Sequence, residues 1–169
     1  MTIQSLRTDD CIDAVFEEYS DMIFRLAFSH VKTRTDAMDI CHEVFMRYIK
    51  KNMTFECEEH RKKWLVKATV NCCKSFFHSA WYRRCVSAED YEEASQSPFE
   101  AFDTRADVHN ALSKIPRKYR TVIHLFYFEE MSVKEIADTL DLKESTVKSQ
   151  LMRARNMLHD LLKGEYFSE

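Results

Sequence analysis

Glycine and proline are scarce in this sequence, with one Gly and two Pro among 169 residues. An average globular chain of that length carries roughly 12 Gly and 8 Pro. β-Sandwiches, barrels and hairpin arrays need residues with positive φ at regular intervals, and Rossmann or P-loop nucleotide sites need a glycine-rich phosphate turn. The scarcity argues against both kinds of protein. Together with 45% hydrophobic and 31% charged residues, it predicts a soluble all-α fold.

The sequence also lacks a long apolar segment and a paired cysteine motif. The N-terminus, MTIQSLRTDDC, has no signal-peptide core, and no apolar run approaches a membrane span. We therefore expect a cytoplasmic protein without direct membrane insertion, whose six cysteines are reduced. Cys57 near His60, or Cys41 beside His42, could contribute to a zinc site, but a structural site needs four ligands in paired spacing. The sequence favours buried hydrophobic thiols, with no metal and no cofactor.

The net charge of −3 is concentrated in one segment. Residues 1–90 are neutral overall, residues 91–107 carry −4, and residues 108–169 carry +1. The middle segment, YEEASQSPFEAFDTRAD, contains Pro98 and little helical periodicity, which is typical of an acidic linker. We predict two small helical domains, 1–90 and 108–169, joined by a flexible acidic linker at 91–107.

Apolar residues recur at helical spacing in the first domain, from Ile12 to Ala27 and from Ile40 to Tyr48. A third helix is predicted from about His60 through WLVKATVNCCKSFFHSAWYRR, where aromatic residues alternate with Lys and Arg. Such a mixture suits single-stranded nucleic acid, whose bases stack and whose phosphates attract cations. It also fits a buried aromatic face with solvated charges, and these residues alone leave both readings open. Asn71 is more specific, because a carboxamide can hydrogen-bond the edge of an unpaired base.

The second domain contains the pattern of a helix-turn-helix. Pro116 marks a break between helices. Ser132 and Glu135 form a capping-box pattern, which predicts a helix from about Val133 to Leu140. A short turn and a second helix follow, and such a second helix enters the DNA major groove in known motifs of this type.

The second helix of this motif has two distinct faces. Val147, Leu151 and Ala154 form an apolar stripe, and Gly164 is predicted just past the helix end. The opposite face presents side-chain types that read base edges or bind phosphates. These residues are Ser145, Thr146, Lys148, Ser149, Met152, Arg153 and Arg155.

Three segments together resemble the extracytoplasmic-function (ECF) sigma factors, a group of the sigma-70 family of bacterial initiation factors. DAMDICHEVF at 36–45 resembles the segment that docks on the RNA polymerase clamp helices, WLVKATVNCCKSFF at 64–77 the promoter-melting helix, and 111–155 the C-terminal helix-turn-helix. The resemblance implies a non-enzymatic sigma factor that recruits core RNA polymerase, reads a minus-thirty-five element and melts a minus-ten element. It therefore implies binding to duplex and single-stranded promoter DNA. It also implies an anti-sigma factor as a partner.

The resemblance assigns three sets of site residues, none of them catalytic. The minus-thirty-five set is the face of the second helix given above. Phe55 matches a loop aromatic that pockets a flipped base of the minus-ten element. The full minus-ten set is Phe55, Trp64, Asn71, Lys74, Arg83 and Arg84. The polymerase-binding set is Asp36, Asp39, Ile40, Glu43, Val44 and Phe45.

The helix-turn-helix departs from the family pattern at three positions. Asp141 stands where many such turns have Gly, although Asp tolerates the left-handed conformation better than most residues. Lys143 replaces a common Ser cap and weakens the start of the second helix. Phe126 stands where some relatives have a basic phosphate contact, which puts that contact in doubt.

Two other functions are compatible with parts of the sequence. A stand-alone helix-turn-helix regulator, with an N-terminal bundle that senses a ligand or dimerises, would bind duplex DNA without polymerase. A thiol or zinc redox protein would bind metal or form a reversible disulfide. Transcription in vitro with core polymerase distinguishes the three.

Overall fold

The computed structural model describes residues 6–7, 12–79 and 103–166, and the chain divides into two compact units, Met1–Ala94 and Ser95–Glu169. Within the described residues, all regular structure is helical except for one pair of two-residue strands. The predicted all-α class is therefore confirmed. None of the described helices is both long and apolar enough to cross a membrane.

Unit 1 contains helices α1 (Ile12–Val31), α2 (Arg34–Lys51) and α3 (Glu58–His78). α3 begins two residues before the predicted start, and residues 80–84 of the predicted helix lie outside the described part of the chain. The three helices pack on one another through apolar faces, because each face repeats at the helical period. Side chains without exposed surface in this core include Ile23, Leu26, Val44, Tyr48, Leu65 and Val66.

A short strand pair closes one side of unit 1. Strand β1 (Leu6–Arg7) runs antiparallel to β2 (Thr54–Phe55), with Leu6 opposite Phe55. Asn52, at φ 42° and ψ 50°, ends α2 in the left-handed conformation and turns the chain into β2. The sequence did not predict these strands, because two residues are too few to show alternation. The pairing fixes Phe55 in the interior of the unit.

Unit 2 contains α4 (Asp103–Lys114), α5 (Arg117–Tyr127), α6 (Val133–Leu140) and α7 (Glu144–Tyr166). Residues 103–107 of the predicted linker are thus helical. Acidic residues indicated a linker there, but carboxylates also suit the first turn of a helix. The predicted break at Pro116 is confirmed. Beyond it, the buried Arg120 guanidinium donates to the Ile115 carbonyl at 2.8 Å and the Ser113 carbonyl at 3.1 Å, which secures the end of α4.

The helix-turn-helix forms with the predicted bounds for its first helix. The Ser132 hydroxyl accepts a hydrogen bond from the Glu135 amide at 3.2 Å, and the Glu135 carboxylate accepts one from the Ser132 amide at 2.8 Å. Asp141 ends α6 in the left-handed conformation, at φ 54° and ψ 45°. At the start of α7, the Lys143 carbonyl accepts from the Thr146 and Val147 amides, so the helix begins there without a Ser cap.

Gly164 lies within α7, so its predicted position beyond the helix end is wrong. Its φ is not positive, and a Cβ added to it would meet no atom within 4 Å. Glycine near a helix end often marks the terminus because it adopts the left-handed conformation at low cost. At this position the chain does not use that freedom.

We expect Ser132→Ala to lower the free energy of unfolding of the full chain by about 1 kcal/mol, because one half of the capping box is lost. Urea denaturation followed by circular dichroism measures this change. Ser113→Ala is the matched control, since that hydroxyl bonds only to the Asn110 carbonyl of its own helix at 2.6 Å. A loss equal to that of the control would contradict the capping role.

The described cysteines divide by exposure. Cys41, Cys72 and Cys73 are buried and Cys57 is exposed. Burial raises the pKa of the Cys41 thiol to about 12 and also raises that of Cys72. Within residues 6–7, 12–79 and 103–166, no group of three or more His, Cys, Asp or Glu side chains is arranged to hold a metal ion.

At pH 8 we expect iodoacetamide to alkylate Cys57 at least tenfold faster than Cys41, because the thiolate is the reactive form and a pKa near 12 leaves roughly one Cys41 thiol in ten thousand ionised. Residue-resolved mass spectrometry of the native chain measures both rates. The difference disappears in denaturant. Equal rates in the native chain would show that Cys41 is accessible.

Candidate nucleic-acid and polymerase interfaces

A groove of about 330 Å³ lies between α2 and α3 of unit 1. Basic side chains come from both helices, with an aromatic ring and a carboxamide between them. The lining residues are Arg47, Lys50, Lys51, Trp64, Lys67, Ala68 and Asn71. Cations, a ring and a carboxamide in one groove are the groups that bind an unpaired strand through its phosphates, base faces and base edges.

The aromatic wall of this groove rests on Phe55. Trp64 packs edge-on against Tyr48 and Phe55, with ring centres 5.9 and 6.2 Å apart, and Phe55 stacks on Tyr48 at 5.8 Å. The Arg61 guanidinium lies 5.7 Å from the Phe55 ring centre. Trp64 is half-buried, so part of its ring faces the groove while the rest is fixed by packing.

The predicted contact between Phe55 and a flipped base would require a change from this conformation. The side chain is only 1% exposed, and its ring is covered by Tyr48, Trp64, His60 and Arg61. In this conformation no face of the ring is open to a base. Phe55 packs against Trp64 and supports that ring. Its buried position is fixed by the pairing of β2 with β1, which the sequence did not reveal.

The other predicted minus-ten residues are placed as follows. Asn71 lines the groove and is exposed, and Lys74 is exposed one helical turn further along α3. Arg83 and Arg84 lie outside the described residues. The structure therefore brings Trp64 and Asn71 together in one groove.

Sequence reasoning missed the cations on the α2 side of the groove. Arg47, Lys50 and Lys51 follow one another at i, i+3 and i+4 near the end of α2, and Trp64, Lys67 and Asn71 are spaced at i, i+3 and i+7 on α3. Each set has the spacing of a single helix face. Only the packing of α2 on α3 shows that the two faces meet.

The predicted polymerase-binding segment forms the first half of α2. Three carboxylates, Asp36, Asp39 and Glu43, lie at i, i+3 and i+7 and therefore share a face. The Thr33 hydroxyl caps the helix through the Asp36 amide at 3.2 Å and also bonds the Asp36 carboxylate. Glu43 accepts from Arg47 Nε at 2.7 Å, and this bond raises the pKa of Arg47. Asp39 is exposed and makes no ion pair within the described part of the chain.

The apolar members of that segment are core residues. Ile40, Val44 and Phe45 are 4%, 0% and 6% exposed, so they pack in the core of unit 1, and their additional role in polymerase binding stays a prediction. They point inward because they follow the buried stripe of α2 rather than its acidic face. Met38, which the sequence reasoning did not select, is 54% exposed in the same segment.

The face of α7 predicted to read DNA is open to solvent. Its apolar stripe, Val147, Leu151 and Ala154, is buried against the rest of unit 2. The opposite residues are exposed or half-buried, and Met152 is 57% exposed. The seven residues on this side are Ser145, Thr146, Lys148, Ser149, Met152, Arg153 and Arg155.

A tyrosine that the sequence did not indicate lies beside Arg153. Interaction with the Arg153 side chain, followed by interaction with Lys118, lowers the pKa of the Tyr119 phenol of α5. Lys118 Nζ lies 4.8 Å from the Tyr119 ring centre. A cationic cluster therefore forms along one flank of α7.

Comparison with known proteins identifies the class of protein that this fold and these surfaces define. The family model "Sigma-70 region 2" matches residues 15–83, and "Sigma-70, region 4" matches residues 105–158. The first match covers most of α1 and all of α2 and α3, and the second includes the helix-turn-helix. The two regions belong to sigma-70 factors, which are regulators of transcription initiation rather than enzymes.

Among curated relatives, RNA polymerase sigma factor SigV of Bacillus subtilis is 32% identical over 152 residues, covering 89% of this chain and 90% of SigV. ECF RNA polymerase sigma factor SigM of the same organism is 26% identical, covering 89% and 94%. The fold is similar to that of the sigma factor RpoE, solved with the anti-sigma factor NepR from Bartonella quintana, with a TM-score of 0.73, 22% identity, and coverage of 90% of this chain and 96% of RpoE. The chain belongs to the extracytoplasmic-function group of the sigma-70 family and is an RNA polymerase sigma factor for transcription initiation.

Proposed function

We propose that each of the three surfaces described above has a separate role in transcription initiation by this sigma factor. The acidic face of α2 docks on core polymerase, the groove between α2 and α3 holds the unpaired minus-ten strand, and the exposed face of α7 reads the minus-thirty-five duplex. The observation that carries this proposal is that two chemically different nucleic-acid surfaces occur in one chain. One is a basic groove with an aromatic wall, and the other is a solvent-exposed face of a helix-turn-helix.

The groove suits a single strand better than a duplex. Lys50, Lys51 and Lys67 supply charge for phosphates, while Trp64 offers an aromatic face already fixed by packing. Base stacking on such a ring contributes about 1–3 kcal/mol per base. That energy offsets the few kcal/mol needed to unstack and unpair a base. The groove therefore favours the melted state of the promoter.

The face of α7 suits a major groove. Side chains at its N-terminal half reach base edges in helix-turn-helix proteins, and Ser149 and Arg153 have the donors and acceptors for that task, while Lys148 supplies charge for a phosphate. Met152 offers an exposed apolar surface for a thymine methyl group. Arg153 is the strongest candidate for guanine, because the guanidinium fork can bond both acceptors of that base.

Docking on polymerase is assigned to charge rather than to the buried apolar residues. Asp39 and Glu43 are exposed on α2, and Met38 adds an apolar contact beside them. Complementary charge accelerates association and fixes orientation. Asp39→Asn is the corresponding test variant in a core-polymerase binding assay.

Other parts of the proposal rest on the family alone. We also propose that the acidic linker passes through polymerase; residues 91–102 lie outside the described part of the chain, and residues 103–107 begin α4. Regulation by an anti-sigma factor, a cytoplasmic location and the absence of any enzymatic activity of this chain are proposed on the same basis.

We expect Asn71→Ala to impair promoter opening roughly tenfold while leaving minus-thirty-five binding unchanged, because one base-edge hydrogen bond of about 1 kcal/mol or more is lost in the melted state. Permanganate reactivity of unpaired thymines measures opening, and protection of the upstream duplex measures binding. Ser75→Ala, also exposed on α3 but outside the groove, is the control. The reverse pattern would contradict the assignment of the two surfaces.

The test of the proposed function is initiation by core polymerase with and without the full chain. Genomic fragments serve as templates, and the 5′ ends of transcripts locate the promoters. We expect new start sites that share two upstream sequence blocks and depend on the added protein. A protein that binds duplex DNA but neither associates with core polymerase nor directs initiation would instead be a stand-alone helix-turn-helix regulator.

A further inference from the structure

A contact between α5 and α7 holds the side chain of Arg155. Its Nε donates a hydrogen bond to Oη of Tyr127 at 2.9 Å. The guanidinium carbon lies 5.5 Å from the ring centre of Phe126 and 5.6 Å from that of Tyr127. Arg155 is exposed, and Tyr127 is 55% exposed. The guanidinium is therefore fixed at the end of α5 while it stays open to solvent.

We propose that Tyr127 is a positioning residue that holds Arg155 as a preformed site for a backbone phosphate of duplex DNA. This inference rests on the proposed role of α7. The bond to Tyr127 uses Nε alone, and the terminal N–H groups of Arg155 have no other hydrogen-bond partner within residues 103–166. Those groups form the fork that binds phosphate oxygens.

The position of Arg155 on α7 favours phosphate over a base edge. Arg155 follows Lys148 by seven residues, so the two share one flank of the helix. Arg153 precedes Arg155 by two residues and therefore lies toward the opposite flank. A recognition helix in the major groove has a phosphate backbone on each side. The sequence grouped Arg155 with the base-reading residues. The contact with α5 instead gives it a separate role, binding phosphate.

Phe126 contributes a second aromatic contact, because its ring packs against the Arg155 guanidinium. The positive charge at this end of α5 thus comes from α7, held in place by two aromatic residues. An arginine restrained before binding loses less rotamer freedom when it meets phosphate.

The proposed role differs from a purely structural one in its effect on DNA. If Tyr127 only joined α5 to α7, its hydroxyl would affect stability and leave DNA affinity unchanged. As a positioning residue for a phosphate contact, it changes affinity equally for cognate and non-cognate duplexes, because phosphates carry no sequence information. It also acts only through Arg155.

The test uses holoenzyme formed from core polymerase and the full chain, with duplex fragments of a mapped promoter and of unrelated sequence, across a salt series. We expect Tyr127→Phe to weaken binding to both duplexes about fivefold, the effect of one hydrogen bond. Arg155→Gln is expected to weaken binding about tenfold and to reduce the salt slope by about 1. The double variant should match Arg155→Gln alone. Phe128→Leu, which alters a neighbouring ring that is 50% exposed, is the control and should bind like wild type.

Wild-type affinity for Tyr127→Phe would overturn the inference, as would a further loss when Tyr127→Phe is added to Arg155→Gln. Failure of the wild-type holoenzyme to bind promoter duplex would instead overturn the proposed function on which the inference rests. The exchange rate of the Arg155 Nε proton, measured by NMR on the full chain without DNA, tests the contact separately. Slow exchange is expected in the wild type and fast exchange in Tyr127→Phe.

Discussion

Replacement of Arg153 by alanine is expected to weaken binding of the minus-thirty-five duplex by about 1–3 kcal/mol, the usual contribution of an arginine that bonds both acceptors of a guanine. The loss should be largest for the cognate sequence, so discrimination between promoter and unrelated duplex falls with affinity. Promoter opening on a template that is already melted at the minus-ten element should be unchanged. Electrophoretic mobility shift with holoenzyme, on duplex and on pre-melted templates, measures both effects.

Two further variants make the Arg153 experiment specific. Arg153→Lys keeps the charge and removes the fork, so we expect it to retain non-specific affinity and lose discrimination. Asn156→Ala, exposed one turn along α7, should behave as wild type. Equal loss of affinity for cognate and unrelated duplex in Arg153→Ala would mean that Arg153 contacts phosphate only.

Neutralising one lysine on each wall of the groove is expected to destabilise the open promoter on the order of tenfold, because each phosphate contact to a single strand contributes about 0.7 to the salt slope. The variant is Lys50→Gln with Lys67→Gln, which removes both charges and keeps a flexible polar side chain at each position. We expect the slope of log affinity against log salt for a single-stranded minus-ten oligonucleotide to fall by about 1.4. Fluorescence anisotropy with holoenzyme measures this slope.

The chain offers a charge-matched control for this variant. Lys62 and Lys63 lie on α3 outside the groove, and Lys63 pairs with Glu59 at 2.8 Å. Lys62→Gln with Lys63→Gln should leave the slope unchanged, although the net charge falls by the same amount. An equal reduction in both double variants would show that the total charge of unit 1, and not the groove, binds the strand.

The fold could be predicted where local chemistry decides it. The Ser132 and Glu135 pattern fixed the start of α6, and Pro116 marked the break before α5, because both act through neighbouring backbone groups. The strands β1 and β2 could not be predicted, since their pairing joins Leu6 to Phe55 across α1 and α2. Gly164 was predicted beyond the end of α7 but lies within it, because glycine permits a helix end without requiring one.

In the candidate site, too, sequence patterns predicted local features but not contacts between helices. Helical spacing placed Met152 and Arg153 on the exposed face of α7, where the side chains are found. Spacing also placed Ile40 and Val44 on an apolar helix face, and they lie in the core, whereas Asp39 faces outward. Spacing could not show that a cation is held by an aromatic residue of another helix, as Arg155 is by Tyr127. Contacts between helices decide these points.

The decisive measurement is transcription in vitro from genomic fragments by core polymerase, with the full chain, the Arg153→Ala variant and the Asn71→Ala variant in parallel. We expect the wild-type chain to create start sites with two shared upstream blocks. Arg153→Ala should lose those sites on duplex templates and recover them on templates melted in advance. Asn71→Ala should bind the same promoters and fail to open them. Start sites that do not depend on the added chain, or a variant pattern opposite to this one, would contradict the division of promoter recognition between unit 1 and unit 2.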